Sequence, residues 1–172
     1  VFDQLGAVWG HQYGLEVPNY FAQGDEPRFE TPSFRRSNAF AATAREVKAV
    51  RGAVGINEVQ NFGKYLVRGA SARAWLDRIM AGTIPQPGRL ALNPMLSPAG
   101  RIIGDFTVAC RDETTFQLTA SYGAQAYHMR WFQQNAQAGA SVENISDRLT
   151  GFQIAGPRAR DVLAACTDAD VS

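Results

Sequence analysis

The sequence predicts an α+β fold: a mixed or antiparallel sheet with helices packed on it. Three observations carry that expectation. Segments with 3.6-residue apolar spacing alternate with short extended segments. No βαβ repeat orders the extended segments into a parallel sheet. One pair, Ile102–Cys110 and Thr115–Tyr122, reads as a hairpin across the loop Arg111-Asp112-Glu113-Thr114.

In chain order, residues 1–38 read as irregular. They hold aromatics (Phe2, Trp9, Tyr13), a short extended run Val17–Phe21 and a charged, proline-bearing loop over 24–32. Asn38 is placed to cap a helix whose inward positions are Phe40, Ala44, Val47 and Val50, closed by Gly52. Two strands, 54–59 and 62–68, flank Gln60-Asn61, with Lys64 and Leu66 on one face and Tyr65 and Val67 on the other. A second helix follows Gly69-Ala70-Ser71 with Ala72, Trp75, Leu76, Ile79 and Met80 inward. Leu90–Leu96 reads as a strand that Pro94 confines to an edge or a bulge. After the hairpin, a third helix over 124–137 has Tyr127, Trp131 and Phe132 as its apolar side. Strands at 141–145 and 152–155 lead to Gly156-Pro157, which opens a fourth helix through Cys166. Trp9, Trp75 and Trp131 are expected in the core.

Composition bounds the function. Of 172 residues, 45% are hydrophobic and 19% charged, enough apolar material to bury a core. A net charge of +1 with no long run of either sign argues against a nucleic-acid partner or a membrane surface. No apolar run reaches the roughly 18 residues that a spanning helix needs. Cys110 and Cys166 make no disulfide framework and lack zinc-finger spacing, so no metal is expected and a reducing, cytoplasmic setting is. The chain begins at Val1 rather than Met, and it is expected to be a piece of a longer polypeptide.

Asp105 is the residue that stands out. If a four-residue loop sets the hairpin register, Cys110 faces Thr115. One strand face then holds Ile103, Asp105, Thr107 and Ala109 with Phe116, Leu118, Ala120 and Tyr122, and Asp105 is its only acid. A carboxylate there is functional, or pairs with a core arginine, or the register is off by one and it faces water. Other residues point less clearly to chemistry. His11 and His128 are far apart in sequence, and His128 on an amphipathic helix suits the surface or helix packing. Ser71 and Ser121 lack a His/Asp arrangement, and both cysteines read as packing residues. Neither a phosphate loop nor GxGxxG is present, so the chain does not itself bind a dinucleotide in the Rossmann manner.

Longer motifs carry a resemblance. Leu92-Asn93-Pro94-Met95-Leu96-Ser97-Pro98-Ala99-Gly100-Arg101-Ile102-Ile103-Gly104-Asp105-Phe106 resembles the folate-binding segment of the glycine-cleavage T-protein (aminomethyltransferase) superfamily. Gly55-Ile56 through Phe62–Gly69 resembles its early strand pair, and Gly151–Arg160 its strand-to-helix segment. Trp9-Gly10, Tyr13–Phe21 and Phe34…Ser37-Asn38 resemble the dimethylglycine and sarcosine dehydrogenase branch. The resemblance implies a flavin (FAD) in an upstream region of the same polypeptide, before a folate region that starts near residue 39. The flavin region oxidises an N-methyl amine, and tetrahydrofolate takes the one-carbon unit as 5,10-methylenetetrahydrofolate. It implies Asp105 as the catalytic carboxylate and Leu92, Ser121 and Tyr122 as pocket residues. The glycine-cleavage branch has paired acids where this chain has Gly104-Asp105, and an aromatic near Leu92; both differences resemble the flavin-coupled branch. Further folate contacts of the family fall beyond residue 172, so the chain alone is expected to hold an incomplete, inactive site. Two other readings keep the fold: a methyltransferase or demethylase using another methyl donor, and a non-catalytic folate-binding or interaction module.

Overall fold

The computed structural model describes residues 1–12, 14–59 and 61–171. Tyr13 of the aromatic motif and Gln60 of the predicted turn lie outside the described residues. The chain divides into two compact units, Val1–Asn57 with Gln153–Ser172, and Glu58–Phe152. The secondary structure is α+β, as the sequence predicts.

In the first unit, β1 (Ala7–Gln12) and β2 (Leu15–Phe21) form an antiparallel hairpin where an irregular segment is expected. The alternation is masked by Gly10, Gly14 and Pro18. Pro18 sits opposite Trp9, beside a register irregularity at Val8/Trp9, where a missing N–H is tolerated. Val8, Tyr20 and Ala22 pack with Ala42 of α1 (Ala39–Gly52), so a boundary at residue 38/39 falls inside a unit. Trp9 is not a core residue; its ring is exposed and its Nε1–H donates to Asp3 Oδ1 (2.8 Å). α1 ends at Gly52, and its predicted inward face holds only in part: Ala44 and Val50 are partly buried, Phe40 and Val47 are exposed, and the fully buried position is Ala42. Asn38 does not cap it. Its Oδ1 accepts the Thr31 N–H (2.8 Å) and its Nδ2 donates to the Phe29 carbonyl (2.8 Å), so the amide pins the preceding loop instead. Arg45 ties the same loop down through Glu26 (Nη2–Oε2 2.9 Å), and its guanidinium holds the Glu26 carboxyl below the usual range. β3 (Gly55–Glu58) pairs with a strand from far along the chain rather than with its neighbour in sequence.

The second unit is built on an antiparallel sheet. Its strands and helices in chain order are β4 (Phe62–Arg68), α2 (Ala72–Ile79), β5 (Leu90–Leu96), β6 (Ile102–Asp112), β7 (Thr115–Ser121), α3 (Gln125–Gln134) and β8 (Ser141–Asn144). Back in the first unit follow β9 (Phe152–Ala155), the partner of β3, and α4 (Ala159–Cys166), which starts two residues after Pro157. The sheet order is β5-β6-β7-β4-β8. Pro94 lies on β5, an edge strand, as proline chemistry requires.

One sheet face makes the core. Tyr65, Val67, Phe106, Val108, Phe116 and Leu118 point into it and meet Trp75 and Leu76 of α2 and Phe132 of α3. α2 presents the predicted stripe Ala72, Trp75, Leu76 and Ile79. α3 is shorter than predicted and rotated: His128 and Phe132, one turn apart, are the buried positions, while Tyr127 is exposed and Trp131 only partly buried. The buried indole of Trp75 is satisfied by donating Nε1–H to the Asn135 carbonyl (2.6 Å).

Gly69, at the turn into α2, has φ +129°, and a Cβ there would stand 2.1 Å from the Gly139 carbonyl oxygen. Gly69→Ala is therefore expected to destabilise the second unit by about 1–3 kcal/mol, read as a lowered urea midpoint. An unchanged midpoint would mean that the backbone relaxes freely at this turn.

Candidate functional site

The hairpin register decides where Asp105 goes. The expected four-residue loop is absent. β6 continues to Asp112, whose Oδ1 accepts the Thr114 N–H (2.8 Å) and Oγ1–H (2.9 Å), closing a tight turn at Glu113-Thr114. These bonds also hold the Asp112 carboxyl below its ordinary range. Arg111 is left over as a bulge, so Cys110 faces Phe116, Val108 faces Leu118 and Thr107 faces Thr119. This one-residue shift turns Phe106, Val108 and Cys110 into the core and Asp105, Thr107 and Ala109 to the other face.

Asp105 is thus exposed: of the three readings the sequence leaves open, the register off by one with the acid facing water is the one observed, and an acid held on an apolar surface is not. Among the described residues it makes no ion pair or side-chain hydrogen bond, so the core-arginine reading fails too. It lies opposite Pro94 of β5, and Leu92 lies opposite Thr107. Leu92 is 75% exposed, and Ser121, at the end of β7 opposite Phe62, is exposed. Leu92, Asp105 and Ser121 therefore share one open sheet face, with the hydroxyls of Thr107 and Thr119 between them. Tyr122 opens the short 3-10 turn Tyr122–Ala124 just past that face and is half exposed. The arrangement offers a carboxylate acceptor, three hydroxyls and an apolar side chain to a ligand laid on the sheet.

A concavity of about 550 Å³ lies toward the β8 side of the same face, lined by Leu66, Arg68, Arg111, Gln117, Ile145 and Arg148 among others. None of the four predicted site residues lines it.

Two buried polar residues lie behind the site: Asn93, which the sequence does not single out, and His128, for which the structure bears out helix packing, one of the two places the sequence allows. Asn93, fully buried, accepts the Gly82 N–H (2.6 Å) and donates to the Thr83 carbonyl (3.1 Å), fixing the segment after α2 to β5. His128 is 1% exposed, and its Nδ1 meets the Tyr65 hydroxyl at 3.0 Å. A surface place for His128 is ruled out; its i+4 spacing to Phe132 was the available signal. His11 is exposed on β1. Cys110 is a buried packing residue as expected, whereas Cys166 is exposed; both are free thiols. Among the described residues no group of His, Cys, Asp and Glu could hold a metal, and no helix is long and apolar enough to cross a membrane.

A family model, the GCVT N-terminal domain, matches residues 1–172. The chain belongs to this family. The family is the one that the motif order from Leu92 to Phe106 resembles. Human mitochondrial dimethylglycine dehydrogenase is 32% identical over 166 residues, covering 95% of this chain and 19% of that protein. The aminomethyltransferase of Bacillus subtilis is 28% identical over 135 residues, covering 77% of this chain and 37% of that protein. The chain thus spans about a fifth of the length of the dehydrogenase and somewhat over a third of that of the aminomethyltransferase. In fold, the chain resembles the glycine cleavage system aminomethyltransferase T of Bartonella henselae with a TM-score of 0.72 at 17% identity, over 95% of this chain and 40% of that one.

Proposed function

We propose that this chain is part of the tetrahydrofolate-binding, one-carbon-transfer region of a flavin-dependent N-methyl amine dehydrogenase of the dimethylglycine or sarcosine type. The observation that carries the reading is Asp105, an exposed acid without a partner among the described residues, on an open face with Leu92 and Ser121. Likeness to human dimethylglycine dehydrogenase along 95% of the chain supports the branch.

The residues fit a reduced pterin. Its flat ring has an apolar surface that suits Leu92 and Tyr122, and N–H groups that suit a carboxylate and hydroxyl acceptors. In this reading Asp105 accepts an N–H hydrogen bond, stabilises positive charge that develops on the cofactor nitrogen, and receives its proton. Asp105 would act there as a hydrogen-bonding and electrostatic group. Tetrahydrofolate supplies the nitrogen acceptor for the one-carbon unit. An FAD-bearing region before residue 1 supplies the amine oxidation, and the substrate is a small N-methyl amine.

Calorimetric titration of the full-length protein with tetrahydrofolate under anaerobic conditions tests the reading. Saturable binding is expected, weakened in Leu92→Asp, which sets a second charge beside Asp105. A protein that takes up no tetrahydrofolate would not be a folate-dependent enzyme.

A further inference from the structure

The strand that carries Asp105 is poorly supported where the acid sits. β6 pairs with β7 from Thr107 to Asp112, so Ile103, Gly104 and Asp105 have only β5 beside them in the ladder. Even that pairing turns irregular at Met95/Leu96, next to Gly104. The remaining support comes from beneath. The His128 ring of α3 packs on Phe106 with centroids 4.7 Å apart, and it reaches the backbone at Gly104 so closely that a Cβ there would lie 2.6 Å from Nε2.

We infer that His128 is a positioning residue: its ring, held by the Tyr65 hydroxyl and wedged against Phe106 and the Gly104 backbone, fixes the stretch of β6 that presents Asp105. One tautomer suits both contacts: Nδ1 accepts the Tyr65 O–H, and the Nε2 edge faces the Gly104 backbone. Both side chains are buried, so each polar atom needs its partner. Gly104 leaves the room the ring occupies; a larger residue would push the imidazole away from the strand.

The groups facing the ring are Tyr65 from β4, Phe106 from β6 and Tyr127 from its own helix. None is charged at neutral pH; burial pushes the Tyr65 hydroxyl up to about 12. Burial likewise lowers the His128 pKa, against the smaller opposite effect of the Ile103 backbone. Protonation would place N–H on both ring nitrogens, and the Tyr65 hydroxyl proton would lose its acceptor.

The inference deepens the folate reading and rests on it, so the test separates the two. In the full-length protein, tetrahydrofolate affinity is measured by calorimetry from about pH 5 to about pH 8 for wild type, His128→Gln and His128→Leu, with melting at each pH. Glutamine offers an acceptor and a donor and does not titrate. Wild type is expected to lose affinity as pH falls below the ordinary histidine range, the glutamine variant to bind well with that step gone, and the leucine variant to bind about tenfold more weakly at every pH. Stability has the same sign: the native ring binds fewer protons than the unfolded one, so the melting point also falls as pH drops below that range. A glutamine variant that keeps the step, or a leucine variant that binds like wild type, would overturn the inference. If wild type takes up no tetrahydrofolate, the folate reading fails, and amide exchange at Gly104 and Asp105 then decides. Protection kept in glutamine and lost in leucine supports the clamp; equal protection in both refutes it.

Discussion

Asp105→Asn in the full-length protein is expected to cut methylenetetrahydrofolate formation tenfold or more, about 1.4 kcal/mol of lost transition-state stabilisation. Flavin reduction and the melting temperature are expected to stay near wild type. The separation is sharp because Asp105 is exposed and has no protein partner among the described residues, so replacing it removes nothing from the core. An asparagine keeps the shape but loses the negative charge and most of the basicity, which are what a proton acceptor beside a cationic nitrogen needs. Product yield is the measurement, with flavin bleaching and thermal melting in parallel. Wild-type yield from the asparagine variant would take Asp105 out of the reaction. A large drop in melting temperature would instead show a structural acid.

The largest effect on stability is expected from Phe132→Ala, at about 3–5 kcal/mol of unfolding free energy in urea. Phe132 is fully buried at the centre of an aromatic cluster, with ring centroids 5.5 Å from Tyr65, 5.7 Å from Trp75 and 5.8 Å from Phe106. Truncation opens a cavity among rings borne by β4, α2 and β6, elements that cannot easily close over it. A cost below about 1 kcal/mol would mean that the cluster repacks, contrary to the density of ordinary cores.

Much of this fold was legible in the residues because the signal was local. The α2 stripe from Ala72 to Ile79, the extent of β5 and the places of β6 and β7 follow from periodicity and turn residues close by. The family was legible from the order of several motifs. The misses came from interactions that span the chain or from single-residue geometry. β3 has its partner in β9, which no neighbouring residue announces. The β1–β2 hairpin is hidden by glycines and a proline that break the alternation. For α1, an apolar pattern was read as an inward face, yet Phe40 and Val47 stand exposed. Asp105 stands out in the sequence, but which face it takes depends on one residue of register: Asp112 makes the turn two residues long and leaves Arg111 unmatched, the off-by-one alternative that turns the acid to water. For His128 the sequence leaves surface and helix packing open, because its environment depends on Gly104, a residue on another element whose only contribution is the lack of a side chain.

The unmatched Arg111 also constrains how this hairpin can change length over evolutionary time. Strand faces repeat every two residues, so inserting or deleting one residue at the turn inverts the parity of β6 against β7, whereas two residues restore it. Odd-length indels here would force Phe106 and Val108 outward or break the pairing with β7, and even-length ones would leave both faces as they are. Alignments of relatives through this turn should therefore show gaps in steps of two, unless a second bulge appears to absorb the remainder.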